Sequence, residues 1–192
     1  EPEMAESSNT TQNKTPVFKL TIGSCEFTQA DPQGMLRMRV EDHLDRIGMF
    51  EAELDENFLE WTSIKIGDDV EAEIGGGGTF KIFKGYVVGL RHKFIRGTST
   101  LVIQAMCPLV KLAGSCHTQV WEESTDSDAA SAAISTAGET SGTVDTTSET
   151  FKYIFQRNES HLHFLRRLAA RNGYMIKCTE GKIDFCKPQF SG

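Results

Sequence analysis

The sequence has no apolar run approaching the roughly 20 residues that a bilayer-spanning helix needs, so a direct helical membrane span is excluded. Cys-x-x-Cys is missing as well. Cys25, Cys107, Cys116, Cys178 and Cys186 stand singly, and neither a zinc ribbon nor a thioredoxin-like motif is encoded. They read as reduced, mostly buried small hydrophobes of a protein made in a reducing cytoplasm. There is no Gly-x-Ser-x-Gly elbow, and no Ser or Cys stands in a recognisable nucleophile setting, so no enzymatic activity is expected. An excess of bases is absent: 20 Lys+Arg face 27 Asp+Glu, a net charge of −7. That balance argues against bulk nucleic-acid binding. Nor do residues Glu1 to Val17 show the basic start and apolar centre of a signal peptide.

What is present is a chain of 192 residues, 39% of them hydrophobic, long enough for one domain or two small ones. Its charge is uneven. Residues 122–150 hold seven acids (Glu122, Glu123, Asp126, Asp128, Glu139, Asp145 and Glu149) and no base. Outside that window acids and bases balance at 20 each, while residues 151–192 carry eight bases and three acids. Residues 1–15 lack apolar periodicity and are expected to form a flexible tail.

From Pro16 to about Cys107 the period is two. Phe18, Leu20 and Ile22 alternate with polar neighbours, as do Leu36, Met38 and Val40; Phe50, Ala52 and Leu54; and Val70, Ala72 and Ile74. Phe80–Phe83, Tyr86–Leu90 and Leu101–Met106 follow. Gly and Asp punctuate the runs, most visibly at Gly75–Gly78. Many short strands at this spacing predict an antiparallel barrel or sandwich, and a barrel over residues 16–118 is the expectation adopted.

The acidic window changes the period. Ser124 to Asp128 offers N-cap residues and first-turn carboxylates, and the Ala-rich run ends at Gly138. A helix–loop connection is therefore expected over 119–150, with Glu139–Thr150 as loop. Beyond it, a short strand Phe151–Phe155 leads to a helix capped by Asn158 or Ser160. That helix runs to Asn172 with Gly173 after it. Leu162, Leu165, Leu168 and Ala169 form its buried stripe, with Phe164 on the flank. Tyr174–Cys178 and Lys182–Cys186 flank a hairpin turn. One helix and one hairpin bury too little to stand alone, so residues 151–192 read as the start of a second domain, cut short. The fold class is mainly β with inserted helices (α+β): a barrel, a helical linker and the opening of a second barrel.

Other constellations have plainer explanations. Gly75–Gly78 leads into strand, not into a helix N-terminus, so it joins a hairpin and does not cradle phosphate. His161 and His163 point to different sides of a helix, and His43, His92 and His117 lack ligands at metal spacing. Asp126-Ser-Asp128 resembles the opening of a calcium loop without its glycine and closing glutamate. No cofactor or metal is expected.

The order of segments carries more. The run Tyr153-x-x-Gln156-x-Asn158-Glu159-Ser160-x-Leu162-x-Phe164-Leu165-x-Arg167-Leu168-Ala169-x-Arg171-x-Gly173-Tyr174 resembles a hallmark of the phage tail hub family. That family comprises late control protein D, the hub part of VgrG spike proteins, and the spike hubs of extracellular contractile injection systems. Ile66-Gly67-Asp68-x-Val70, Phe83-x-Gly85-x-Val87, and Trp121 followed by Ser127-Asp128 and a helix to Gly138 resemble its upstream segments in order. The resemblance covers residues 16–190. It implies a structural role: two similar β-barrels per subunit, three subunits, and a pseudo-sixfold ring between a hexameric tube and a threefold spike. The partners implied are further copies as a homotrimer in the full-length form, the tail tube protein, spike-tip and baseplate proteins, and cargo. Such a protein is assembled in the bacterial cytoplasm and ends in a virion or a released particle.

Arg166, Arg167 and Arg171 lie outside the apolar stripe of the helix. They are expected to meet the acidic window, Asp126 and Asp128 included, within or between chains, where opposite charges set register. Two rival readings are a β-barrel module binding glycan or peptide and a component of a cell-wall hydrolase.

Overall fold

Alternation in the first half of the chain builds one antiparallel sheet. The computed structural model describes residues 17–30, 34–44, 46–55, 63–76, 78–95 and 97–189; the tail expected over 1–15 lies outside them. The sheet comprises β1 (Val17–Ile22), β2 (Cys25–Thr28), β3 (Met35–Glu41), β4 (Met49–Asp55), β5 (Asp69–Gly75), β6 (Thr79–Ile95) and β7 (Thr98–Met106). Their spatial order is β2-β1-β5-β6-β7-β4-β3. Leu20, Ile22, Phe50, Leu54, Val70, Ala72 and Ile103 are completely or almost completely buried on the inner face, each large side chain contributing about 2 kcal/mol of burial. Phe50 stacks on Phe83 with ring centroids 5.2 Å apart.

The expected pair of strands at Phe80–Phe83 and Tyr86–Leu90 is one 17-residue strand, β6. Register shifts lie between Ala72 and Glu73 on β5 and between Val87 and Gly89 on β6. Such bulges bend a long strand and strengthen its twist, and the sheet curls into a half-barrel. Among the described residues the edge strands β2 and β3 do not pair with each other, so the sheet is open where a closed barrel was expected. Gly85 sits at the tightest point: a Cβ there would stand 2.2 Å from the Met106 carbonyl oxygen. Only glycine lets β7 pass so close.

Leu36 departs from its expected inward position. A register shift between Met35 and Arg37 turns it outward, and it is 57% exposed. One extra residue moves a side chain to the other face of a strand.

The second half is arranged differently from the helix–loop expectation. A short helix, α1 (Leu109–Ala113), follows the sheet. Residues 116–125 then form β8 (Cys116–Thr125), so the expected boundary at residue 118 falls inside a strand. Next come α2 (Asp126–Thr136), β9 (Ser141–Val144), β10 (Thr150–Ser160), α3 (His161–Asn172), β11 (Met175–Thr179) and β12 (Lys182–Cys186). β8 and β10 form an antiparallel ribbon; β11, β12 and β9 form a small sheet in which β9 runs parallel to β12. The loop expected over 139–150 therefore contains a strand. It is held by Asp184, a buried carboxylate that accepts the Thr143 N–H at 2.7 Å and the Thr179 hydroxyl at 2.7 Å.

Phe164 is fully buried where a flanking position was expected. Trp121 of β8 stacks on it with centroids 4.8 Å apart, so α3 is covered on a wider arc than its leucine stripe.

Candidate assembly interface

The junction of β10 and α3 collects most of the motif residues. Ser160 leaves β10 in extended conformation, and its Oγ accepts the His163 N–H at 3.2 Å. That bond satisfies one of the open donors at the helix start. Asn158, the other cap candidate, stands at φ +48 inside a register shift of β10, its N–H donating to Thr118 Oγ1 at 3.2 Å. Asn tolerates this left-handed conformation better than most residues. Gly173 ends the helix at φ +67, as a C′ glycine does.

Behind the shift, Gln156 is fully buried. Its Nε2 donates to the Glu159 carbonyl at 2.9 Å and lies 3.2 Å from His161 Nδ1. A carbonyl can only accept, so the NH₂ end of the amide must face it. His161 Nδ1 is then the acceptor, and its ring proton sits on Nε2. The His161 ring stacks on His117 with centroids 4.0 Å apart. Burial, and after it the neighbouring His117, push the His161 pKa below the ordinary 6.5. Gln156 Oε1 and His161 Nε2 are buried without a protein hydrogen-bond partner.

Glu159 faces the other way. Arg167 Nη2 donates to its Oε1 at 2.7 Å, and His163 Nδ1 lies 2.6 Å from Oε2. Burial opposes the charge on Glu159, but the bonds from Arg167 and His163 outweigh it and hold the carboxyl below its usual 4.5. Arg167 Nη2 also donates to the Phe155 carbonyl at 2.6 Å, occupying an acceptor on β10.

Asp126, the first residue of α2, is fully buried. Arg171 Nε donates to its Oδ2 at 2.8 Å, Arg171 Nη2 bonds Oδ1, and Asn172 Nδ2 donates to Oδ2 at 2.7 Å. The guanidinium also lies 4.1 Å from the centroid of the Phe151 ring. Arg171 thus reaches the acidic window, whereas Arg167 pairs with Glu159 in its own segment. Arg166 is exposed on α3. Asp128 is exposed and accepts from Thr125 Oγ1 at 2.7 Å, while Thr125 caps α2 by accepting the Asp128 N–H. Leu165 and Leu168 are fully buried, and Tyr153 points to solvent.

A third polar link joins this half to the large sheet. Glu139, nearly buried, receives the Tyr86 hydroxyl at 3.2 Å and the Lys111 ammonium at 2.9 Å. That ammonium lies 3.7 Å from the centroid of the Tyr86 ring.

Outside these links lies an exposed apolar face. Val120 of β8 and Phe155 of β10 are register partners, 45% and 39% exposed, and Tyr153 beside them is 47% exposed. The Arg157 guanidinium lies 4.8 Å from the Phe155 ring centroid. A groove of about 760 Å³ continues this face, lined by Tyr153, Phe155, Arg157, His163, Arg167 and Arg171 among others. Aromatic rings beside guanidinium groups suit docking of another macromolecule. Among the described residues no group of three or more His, Cys, Asp or Glu is placed to hold a metal ion. Sequence reasoning misses Val120, His117, Glu139 and Lys111 because their partners are distant along the chain: Phe155, His161, and Tyr86 with Lys111 around Glu139. For Glu139 the signal was its place directly after the C′ glycine of α2.

The family model described as the Alg8 N-terminal domain matches residues 55–192. No curated protein matches the chain. Among solved structures it is similar to the 43 kDa tail protein of prophage MuSo2 from Shewanella oneidensis: 17% identity, 92% of this chain, 57% of that one, TM-score 0.77. It is also similar to the E. coli c3393 protein, described as a type VI secretion system component with structural similarity to the T4 bacteriophage tail proteins gp27 and gp5. There the identity is 15%, over 89% of this chain and 49% of that one, with a TM-score of 0.66. A third likeness is to a Francisella PdpA–VgrG complex: 12% identity, 92% of this chain, 29% of that one, TM-score 0.56. The chain spans about half the length of the first two. At these identities the likeness concerns the fold, which is that of phage tail and spike-associated proteins.

Proposed function

The chain belongs to the Alg8 N-terminal domain family, and we propose that it is the N-terminal hub portion of a spike or baseplate protein in a contractile, phage-tail-like injection particle. It joins a hexameric tube to a trimeric spike, as a structural and not a catalytic component. The observation that supports this best is the prophage tail protein, whose fold follows 92% of this chain at a TM-score of 0.77.

The physical logic is symmetry matching. The seven-stranded sheet supplies the first barrel-like unit, and β8 to β12 with α2 and α3 supply the opening of a second. Two such units in each of three subunits present six similar surfaces to a sixfold tube and keep threefold symmetry toward the spike. The face carrying Val120, Tyr153 and Phe155, with Arg157 beside it, is the surface through which neighbouring subunits or baseplate proteins dock. Arg166 extends that surface along α3, and Asp128 extends it on the acidic side. Arg167, Arg171 and Asp126 act within the chain, holding α2, α3 and β10 in the geometry that presents the face. The particle carrying the protein is assembled in the cytoplasm and released with it.

Multi-angle light scattering on the full parent polypeptide tests the reading. A mass of three subunits is expected, and a strictly monomeric polypeptide contradicts the hub role.

A further inference from the structure

The β8–β10 ribbon carries opposite charges on its two sides. On the β8 side, Glu122 and Glu123 are both exposed. Successive side chains of a regular strand face opposite ways. Glu123 breaks that alternation: it stands at φ +46 inside β8, a left-handed conformation uncommon for a residue other than glycine. Two consecutive carboxylates therefore meet solvent. Among the described residues neither lies within ion-pairing reach of a base.

On the other side lies the groove of about 760 Å³, lined by residues of β10 and α3 and by none of β8. Strand and helix run past each other along it. Arg171 lies against the Phe151 ring, Arg167 on the Phe155 carbonyl and His163 on Glu159. The i, i+4 spacing sets His163, Arg167 and Arg171 in one row, beside Tyr153, Phe155 and Arg157 of β10. Glu159, the carboxylate in this lining, is already engaged by Arg167 and His163. Arg157 has no carboxylate partner among the described residues; it lies against the Phe155 ring. The Arg167 and Arg171 side chains, although paired within the chain, stay 44% and 41% exposed. The groove is thus an electropositive slot walled by aromatic rings.

We propose that Glu122 and Glu123 of one copy dock in the β10–α3 groove of the next, with Arg157 as their ion-pair partner, so that copies join head to tail. The contact presupposes the hub role and specifies which two surfaces meet. The groove calls for carboxylates, and β10 stands between it and the exposed pair of its own chain, so a second copy supplies them. An acidic side and a basic side on opposite flanks of one unit make a heterologous contact, the kind that closes into a ring. Tyr153 and Phe155 flank the charges and exclude water from them. Charge complementarity at such a contact fixes register and speeds encounter.

Cross-linking in the full parent polypeptide tests the contact. Glu123→Cys and Arg157→Cys are combined in a Cys116→Ser background, which removes the exposed thiol of β8, and treated with a short bismaleimide. A peptide linked between positions 123 and 157 is expected, with denatured bands of two and of three subunits. Charge reversal gives a second readout. Arg157→Glu alone, or Glu122→Lys with Glu123→Lys, should raise the dissociation concentration at least about tenfold. All three changes together should return it to within about threefold of the original. A parent polypeptide that is trimeric by light scattering but gives no 123–157 link, or reversals that do not rescue one another, would overturn this contact and leave the hub role standing. Bands that stop at two subunits would mean a twofold contact and would overturn it as well. A monomeric parent polypeptide would contradict the hub role itself, and this contact with it.

Discussion

Arg171, in the last turn of α3, grips the buried carboxylate of Asp126 at the first position of α2 with both arms of its guanidinium. The bond ties α2 to α3 through two residues 45 positions apart in sequence. Asp126 also stands where the α2 dipole favours a negative charge, and Asn172 completes its shell.

Removing one partner should therefore cost far more than removing both. Arg171→Leu leaves a buried carboxylate with Asn172 alone and is expected to destabilise by about 3 kcal/mol. Adding Asp126→Ala should return about 1 kcal/mol or more of that loss. Urea unfolding of the single and double variants measures both quantities.

The same pair marks what a sequence discloses and what it withholds. The acidic window and the basic segment after it were visible as composition, and their attraction was a reasonable expectation. Which base meets which acid was not visible, because the pairing depends on α2 and α3 crossing. The helix itself was readable from its leucine spacing and from Gly173, and the hairpin from Glu180-Gly181. Strand β9 was hidden, since Ser-Gly-Thr-Val has no apolar alternation and is held through its backbone by Asp184. Leu36 faces outward through a register shift that leaves no local signal in the sequence. Phe164 reads as a flank in the sequence because the Trp121 that covers it lies 43 residues earlier, on β8. Val120, Tyr153 and Phe155 became a face only once β8 paired with β10.

His161 makes stability depend on pH. Its folded pKa lies below the ordinary 6.5, so on acidification the unfolded chain takes up the proton first. Stability from the neutral ring is complete above about pH 6.5 and is lost as pH falls from there through the depressed folded value. Protonation at Nδ1 would also set a donor against Gln156 Nε2. Chemical denaturation between about pH 7.5 and 5 should show this decline, and His161→Phe should flatten it.

Core and face should separate cleanly on mutation. Phe164→Ala empties a fully buried site against Trp121 and is expected to cost about 3–4 kcal/mol. Tyr153→Ser and Phe155→Ser remove exposed rings and should change stability by less than about 1 kcal/mol. In the parent polypeptide those same two changes should weaken subunit association, read as a rise in the dissociation concentration in analytical ultracentrifugation.

Glu139 links Tyr86 of the sheet to Lys111 after it. Glu139→Gln keeps the shape and one acceptor but removes the charge opposite Lys111. The expected loss is about 1–2 kcal/mol in thermal or urea unfolding, with the helix content of circular dichroism unchanged.

A hub protein sits between tube and spike. Electron cryomicroscopy of purified particles, with a tag on this chain, measures that directly. Three tagged copies are expected in a ring between the last tube hexamer and the spike. Tag density on the sheath, or particles that assemble fully without this chain, would contradict it.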